Sequence, residues 1–302
     1  MNEIIFGPVN SRRFGQSLGI DLSPALKQCS FDCVYCELKA AKPVDTMSEV
    51  ISVDEIITAL KKALLKFPDI DVITITANGE PTLYPHLDEL VEAINNIKGD
   101  YKILILTNGA SVVDKRTREI LKKIDIVKFS LDCATQKCFK RIDRPLKGIQ
   151  IEDIIENMQE FRREYNGLLI IEVLVVEGIN DKEEEFEKIS IALNKIKPDR
   201  VDVGSIDRPP AYNVKNVSSK RLIELAELIV GLNVSVAYRK DYVGEKRDFS
   251  EDEILNLLSK RPQSVHDVTS CFSEKSKNIL EELIEKKIVR KVDIAGTVFY
   301  RY

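Results

Sequence analysis

The chain has 302 residues, 44% of them hydrophobic and 31% charged, with 45 basic against 49 acidic side chains and a formal net charge of −4. This length carries about two domains and an ordinary core. Its modest glycine and proline content excludes collagen-like and low-complexity classes, and the charge balance excludes a generally basic nucleic-acid binder.

The first strand is expected at residues 17–22. The loop after it reads Cys29-Ser30-Phe31-Asp32-Cys33-Val34-Tyr35-Cys36, so three of the six cysteines fall within eight residues, while Cys133, Cys138 and Cys271 lie far downstream. Three thiolates spaced C-x3-C-x2-C suit three irons of a four-iron cluster whose remaining iron stays open to a small molecule. A structural zinc with His86 or a carboxylate as fourth ligand is the alternative on spacing alone. A helix follows at 53–67, with Ser52 as N-cap and Glu55 completing a capping box. Strands are expected at 71–76, 102–107, 126–131, 168–175 and 200–204, with a last one at 234–237. Helices are expected at 86–97, 114–123, 151–165, 181–195 and 218–230. Continuous apolar runs such as 103–106 and 168–171 mark strands buried on both faces. This succession makes an α/β protein with a parallel sheet, either rolled into part of a barrel or open and doubly wound. Periodicity alone does not separate the two.

A polar, turn-rich linker is expected at 241–249. Helices at 251–258, 265–270 and 274–286 follow, then a strand at 288–292, a turn at 293–296 and a strand at 297–301, the outline of a winged helix-turn-helix at 250–302. Its nine basic and nine acidic residues cancel. A DNA-binding module brings a basic face, so a docking or substrate-proximal role is favoured, with nucleic acid left as an open class. No secretory leader, membrane-length apolar run or lipidation signal is visible. A cytoplasmic, reducing location without membrane attachment is expected.

The cysteine loop, with Tyr35 as the aromatic before its last cysteine, resembles the signature of the radical S-adenosylmethionine (SAM) superfamily. Ala77-Asn78-Gly79-Glu80-Pro81-Thr82, Leu106-Thr107-Asn108-Gly109 and Lys128-Phe129-Ser130-Leu131-Asp132 match further motifs of that family at successive strand ends. The resemblance implies a partial (β/α)6 TIM-like barrel over residues 1–240. It implies a [4Fe–4S] cluster on Cys29, Cys33 and Cys36, and SAM held by Tyr35, Asn78, Gly79, Glu80, Asn108, Ser130 and Asp132. Glu80 would accept from the methionine ammonium, Gly79 would allow close backbone approach, Asn108 and Ser130 would meet ribose or carboxylate, and Tyr35 would pack near the adenine. A low-potential donor such as flavodoxin or ferredoxin would supply the electron that cleaves SAM to a 5′-deoxyadenosyl radical.

The phrases Phe6-Gly7-Pro8-Val9-Asn10-Ser11-Arg12-Arg13, Arg141-Ile142-Asp143-Arg144-Pro145, Glu177-Gly178-Ile179-Asn180-Asp181 and Asp207-Arg208-Pro209-Pro210 resemble a group of prokaryotic radical SAM proteins similar to the tRNA wyosine synthases. Those synthases use a second cluster held by cysteines upstream of the first. This sequence has no cysteine before Cys29, which argues against wyosine-type base modification. Cys133 and Cys138 are read as packing. Arg12, Arg13, Arg141, Arg144 and Arg208 are candidates for an anionic substrate, because guanidinium binds carboxylate or phosphate bidentately. A cluster- or metal-sensing winged-helix regulator is the reading from a different class.

Overall fold

The computed structural model describes residues 4–302 apart from 12, 207, 237–245, 261 and 295–296. An antiparallel hairpin of β1 (Ile5–Ser11) and β2 (Gly15–Asp21) opens the chain. There follow α1 (Val53–Lys66), β3 (Val72–Thr76), α2 (Leu87–Ile97), β4 (Lys102–Thr107), α3 (Lys115–Leu121) and β5 (Ile126–Ser130). Next come α4 (Gln136–Ile142), α5 (Ile151–Glu164), β6 (Leu168–Val175), α6 (Glu183–Ile196), β7 (Arg200–Ser205), α7 (Ser219–Glu227) and β8 (Val234–Val236). The predicted capping box is present: Ser52 Oγ accepts from the Glu55 amide at 3.3 Å while the Glu55 carboxylate accepts from the Ser52 amide at 3.1 Å. Residue 237 of the last predicted strand lies outside the described residues.

The eight strands of the sheet lie in sequence order from β1 to β8, and β2 to β8 are mutually parallel. A doubly wound sheet reverses its strand order at a switch point; this one never does. Right-handed crossovers therefore put every helix on the same face. Val127, Phe129, Leu169, Ile171, Val173, Val201 and Val203 join the core on that face, each fully buried. Such burial contributes roughly 1.5–3 kcal/mol per side chain. The alternate positions face inward, and there Arg13, in the β1–β2 turn, meets Glu172 of β6 at 3.1 Å and Asp202 of β7 at 3.2 Å. A contact from the first hairpin to the sixth and seventh strands requires a rolled sheet. Among the described residues β1 and β8 do not pair, so the roll stays open. Its strand and helix order contains the expected six β/α repeats.

Two elements before residue 240 depart from the expectations. The hairpin strand β1 was not foreseen, because Gly7 and Pro8 interrupt its pattern and its register shifts between Phe6 and Val9. The short helix α4 was also not foreseen; the Thr135 hydroxyl, accepting from the Cys138 amide at 3.4 Å, caps it.

The C-terminal segment contributes α8 (Glu251–Lys260), β9 (Gln263–Ser264), α9 (Val265–Cys271), α10 (Glu274–Glu285), β10 (Arg290–Ile294) and β11 (Thr297–Arg301). The three strands form an antiparallel sheet in the order β10-β11-β9. Residues 241–245 of the expected linker and 295–296 of the expected turn lie outside the described residues. Phe249, Ile254, Leu257, Phe272 and Leu283 form a separate apolar cluster that also takes in Val9 and Phe6 of β1. This packing covers the apolar Phe6 and Val9 of the edge strand. Asn256 donates to the Ile5 carbonyl at 3.2 Å, and Lys260 pairs with the buried Asp21 at 2.5 Å. No helix among the described residues is long and apolar enough to cross a membrane.

Candidate functional site at the strand ends

The loop after β2 is held on three sides. Gln28 donates its amide to the Asn78 carbonyl at 2.9 Å, and its own carbonyl accepts from the Glu80 amide at 2.9 Å. Gly79, at φ +143°, makes this pairing possible, because a Cβ there would overlap the Gln28 carbonyl. The close approach expected of Gly79 is thus made to the cysteine loop. Residues after α4 grip the other side: Val34 donates to the Ile142 carbonyl at 2.8 Å, Asp32 to the Asp143 carbonyl at 3.1 Å, and Leu146 to the Ser30 carbonyl at 2.8 Å. Beyond the loop, Ala211 donates to the Cys36 carbonyl at 2.8 Å.

Cys29, Cys33 and Cys36 are free thiols, each partly exposed. Burial pushes Cys29 up to about 12, with the Glu80 charge adding to it; burial likewise raises Cys33 and Cys36. All three feel a neighbouring cysteine or acid, so the metal-free thiols hold their protons and loading a cation would release them. Cys29 Sγ accepts from the Phe31 amide at 3.4 Å and the Asn108 side chain at 3.6 Å. Such donors suit a thiolate ligand. The Lys27 ammonium is buried beside the loop, 3.6 Å from the Asp32 carboxylate and against the Cys36 thiol. A soft sulfur donor set with a buried cation beside it fits an iron–sulfur cluster.

Glu80, only 1% exposed, is fully engaged. One oxygen accepts from the Thr82 amide at 2.9 Å and from the hydroxyls of Thr82 and Thr107 at 2.7 Å, while the other accepts from the Asn108 amide at 2.7 Å. Burial raises its pKa, offset by these bonds. The carboxylate therefore clamps the ends of β3 and β4 together, in addition to any ligand it meets. Asn108 donates to Ser30 Oγ at 3.0 Å and accepts from the Ala110 amide at 2.9 Å. Asn78 is engaged through its backbone, its amide donating to Asp21 at 2.7 Å.

On the far side of the loop, Tyr35, Asn108, Ser130 and Asp132 line one small cleft with Phe31 and Asp143. Tyr35 donates to Asp132 at 2.5 Å, and the other Asp132 oxygen accepts from the Leu174 amide at 2.7 Å. Burial pushes the Asp132 carboxyl up to about 7, and burial with the Asp132 charge raises Asp143, which accepts from Cys33 at 3.3 Å. Asn180 braces this corner. Its amide donates to the Asp132 carbonyl at 2.9 Å and the Leu174 carbonyl at 2.8 Å, and it accepts from the Val176 amide at 2.8 Å. Asn180→Ala strands three backbone groups and is expected to lower stability by about 2–3 kcal/mol in urea unfolding; a change below about 0.5 kcal/mol would show that water replaces the side chain.

The four candidate arginines among the described residues do not converge. Arg12 lies outside the described residues. Arg13 enters the barrel. Arg141 is exposed and donates to the Gly178 carbonyl at 3.3 Å, while Arg144 stacks 4.3 Å from the Tyr212 ring. Arg208 pairs with Glu37 at 3.4 Å and donates to the Pro262 carbonyl, tying the cysteine loop to the C-terminal segment. Sequence reasoning missed the groups that Arg13 does meet. Lys128 pairs with Glu172 at 2.6 Å and Asp202 at 3.6 Å, and Arg200 holds Asp202 at 2.8 Å. A charge interrupting an otherwise apolar strand, as in Ile126-Val127-Lys128 or Ile171-Glu172-Val173, was the available signal. Nor are Cys133 and Cys138 merely packed: both are buried and joined in a disulfide, next to Glu185, which accepts from the Ala134 and Thr135 amides just before α4.

The model of the Radical SAM superfamily matches residues 24–189. A "UPF0026 protein" of Helicobacter pylori is 42% identical over 300 residues, covering 98% of this chain and 97% of that one. Among solved structures, Streptococcus suis SuiB bound to its precursor peptide SuiA superposes with a TM-score of 0.58 at 21% identity, covering 73% of this chain and 48% of SuiB. TYW1 with a lysine–pyruvate adduct bound gives a TM-score of 0.50 at 18% identity, covering 70% of this chain and 72% of that one. At these identities the two structures speak for the fold alone.

Proposed function

The chain belongs to the radical SAM superfamily and shares the family of the UPF0026 proteins; from this premise we propose that Cys29, Cys33 and Cys36 hold a [4Fe–4S] cluster and that the enzyme acts on an anionic substrate inside the barrel. The observation that carries the reading is the free three-thiol loop pinned by Gly79, Glu80 and Asn108 at adjacent strand ends. When bound, the cluster and SAM supply reductive cleavage of the sulfonium and abstraction of a hydrogen atom. The protein's part is to bind, orient and exclude water. Glu80 and Asn108 keep polar atoms at the loop, and Tyr35, Ser130 and Asp132 are the proposed contacts for the nucleoside end of SAM, beside a cleft that must widen to admit it. A low-potential donor of the flavodoxin or ferredoxin kind is the proposed electron source.

The anionic character rests on the inward layer. Among the described residues Arg13, Lys128 and Arg200 face Glu172 and Asp202, three cations against two carboxylates, and one Arg13 nitrogen is buried with no hydrogen-bond partner among them. Burying ions costs several kcal/mol each, by rough estimate, and a ligand carboxylate or phosphate would complete the set. Above this layer the inward Leu106 is 38% exposed, so the mouth is open. For residues 250–302 we favour a winged-helix unit, divided from a barrel domain at 1–240 by a linker at 241–249. It would wall the substrate side, as Lys260 and Pro262 reach Asp21 and Arg208. Nothing in the comparisons supports the regulator reading.

The test is anaerobic reconstitution with iron and sulfide, then dithionite and SAM. Formation of 5′-deoxyadenosine is expected, and its absence from cluster-loaded protein would sink the enzyme assignment. A small-molecule cell extract is expected to stimulate cleavage, and the stimulating material should bind an anion exchanger. Stimulation by the unbound fraction would overturn the anionic reading.

A further inference from the structure

Lys27 stands two residues before the first cysteine of the loop, with its side chain only 6% exposed. A lysine is seldom buried without a partner, since removing an ammonium from water is costly. Here no oxygen acceptor lies within hydrogen-bond range of Nζ among the described residues. The nearest carboxylate is Asp32 at 3.6 Å, and that group is already shared: its other oxygen accepts from Tyr212 and lies 3.6 Å from Arg144. Two cations therefore face one anion. What Lys27 does have beside it are the thiols of Cys36, within hydrogen-bonding reach, and of Cys29. The ammonium, only partly balanced by the shared Asp32, stands against the thiols.

We infer that Lys27 is the built-in counter-ion of the iron–sulfur cluster, a positioning residue whose buried ammonium stabilises the cysteine thiolates and the reduced state of the cluster. The inference rests on the assignment of Cys29, Cys33 and Cys36 as cluster ligands. Reduction takes one electron from the low-potential donor and adds one negative charge to the cluster; no proton or bond need change at Lys27. A cation held in a poorly solvated position favours the species with the extra electron more than a surface lysine would, because water and salt screen it less. Arginine would keep the charge, whereas methionine would keep the bulk and remove it.

The experiment uses the full-length chain, reconstituted anaerobically, as wild type, Lys27→Met, Lys27→Gln and Lys27→Arg. Iron and sulfide per chain are counted, and the cluster potential is read by redox titration followed by electron paramagnetic resonance, without SAM. The neutral variants are expected to shift the oxidised-to-reduced ratio at a fixed potential at least tenfold toward oxidised, a midpoint lower by about 59 mV for one electron, with Lys27→Arg close to wild type. Loss of the cluster in both neutral variants with retention in Lys27→Arg would equally support the counter-ion. Loaded neutral variants with an unchanged midpoint would overturn it, as would loss in all three variants, which marks a steric role. Wild-type protein that takes up no iron would instead overturn the ligand assignment.

Discussion

Replacing Cys29, Cys33 or Cys36 singly with alanine is expected to abolish cluster binding and SAM cleavage, whereas the same change at Cys271 leaves both intact. Each of the three sits in a loop whose backbone is fixed from both sides, so the remaining two thiolates have little freedom to recruit a substitute. Cys271 lies outside this loop and packs against the apolar cluster of the C-terminal segment. The expected loss exceeds roughly 100-fold, the upper end of what removing a hydrogen-bonding partner of a ligand costs. Iron analysis and visible absorption of anaerobically reconstituted protein read it directly. A Cys33→Ala protein that still binds four irons would show that another donor completes the site. Cys133→Ala and Cys138→Ala belong with Cys271 in this comparison, since the disulfide pair packs with the core that joins the sheet to its helices.

Gly79→Ala should cost the fold about 3 kcal/mol or more, combining an unfavourable backbone angle with overpacking, and should lower iron content as well. At φ +143° the added methyl group would meet the Gln28 carbonyl, which is itself paired to the Glu80 amide. The loop cannot move aside without releasing Glu80 from Thr107 and Asn108. Gly99→Ala provides the control: Gly99 also has positive φ, at +57°, yet nothing lies within 4 Å of its added Cβ. Its cost should stay near 1 kcal/mol, with normal cluster loading. Thermal or urea unfolding together with iron per chain separates the two variants. Equal destabilisation would mean that backbone strain alone matters and that the pairing with Gln28 is dispensable.

The route to the site was unevenly legible. The helix at α1 announced itself through Ser52 and Glu55, because a capping box is a local interaction between residues three apart. The cysteine loop was legible for the same reason, its chemistry residing in short spacings. Arg13 was singled out as a guanidinium, but its partners Glu172 and Asp202 lie 159 or more residues away, and no local pattern connects them. Lys27 carried no motif at all; its interest arises only from burial beside the thiols. Gly79 was expected to admit a ligand, and its neighbour turned out to be the backbone of the loop that carries Cys29.

The opening composition excluded a fibrous or generally basic chain, and local spacing by itself determined the α/β alternation, the iron-binding triplet and the family it resembles. Whether the sheet was open or rolled, which arginines met one another, and whether Cys133 and Cys138 were free were decided only by the tertiary structure. The physical reason is range. Caps, turns and clustered ligands depend on neighbours within a few residues, whereas strand order, the Arg13 network and the seating of the last helices on β1 depend on contacts between distant parts of the chain.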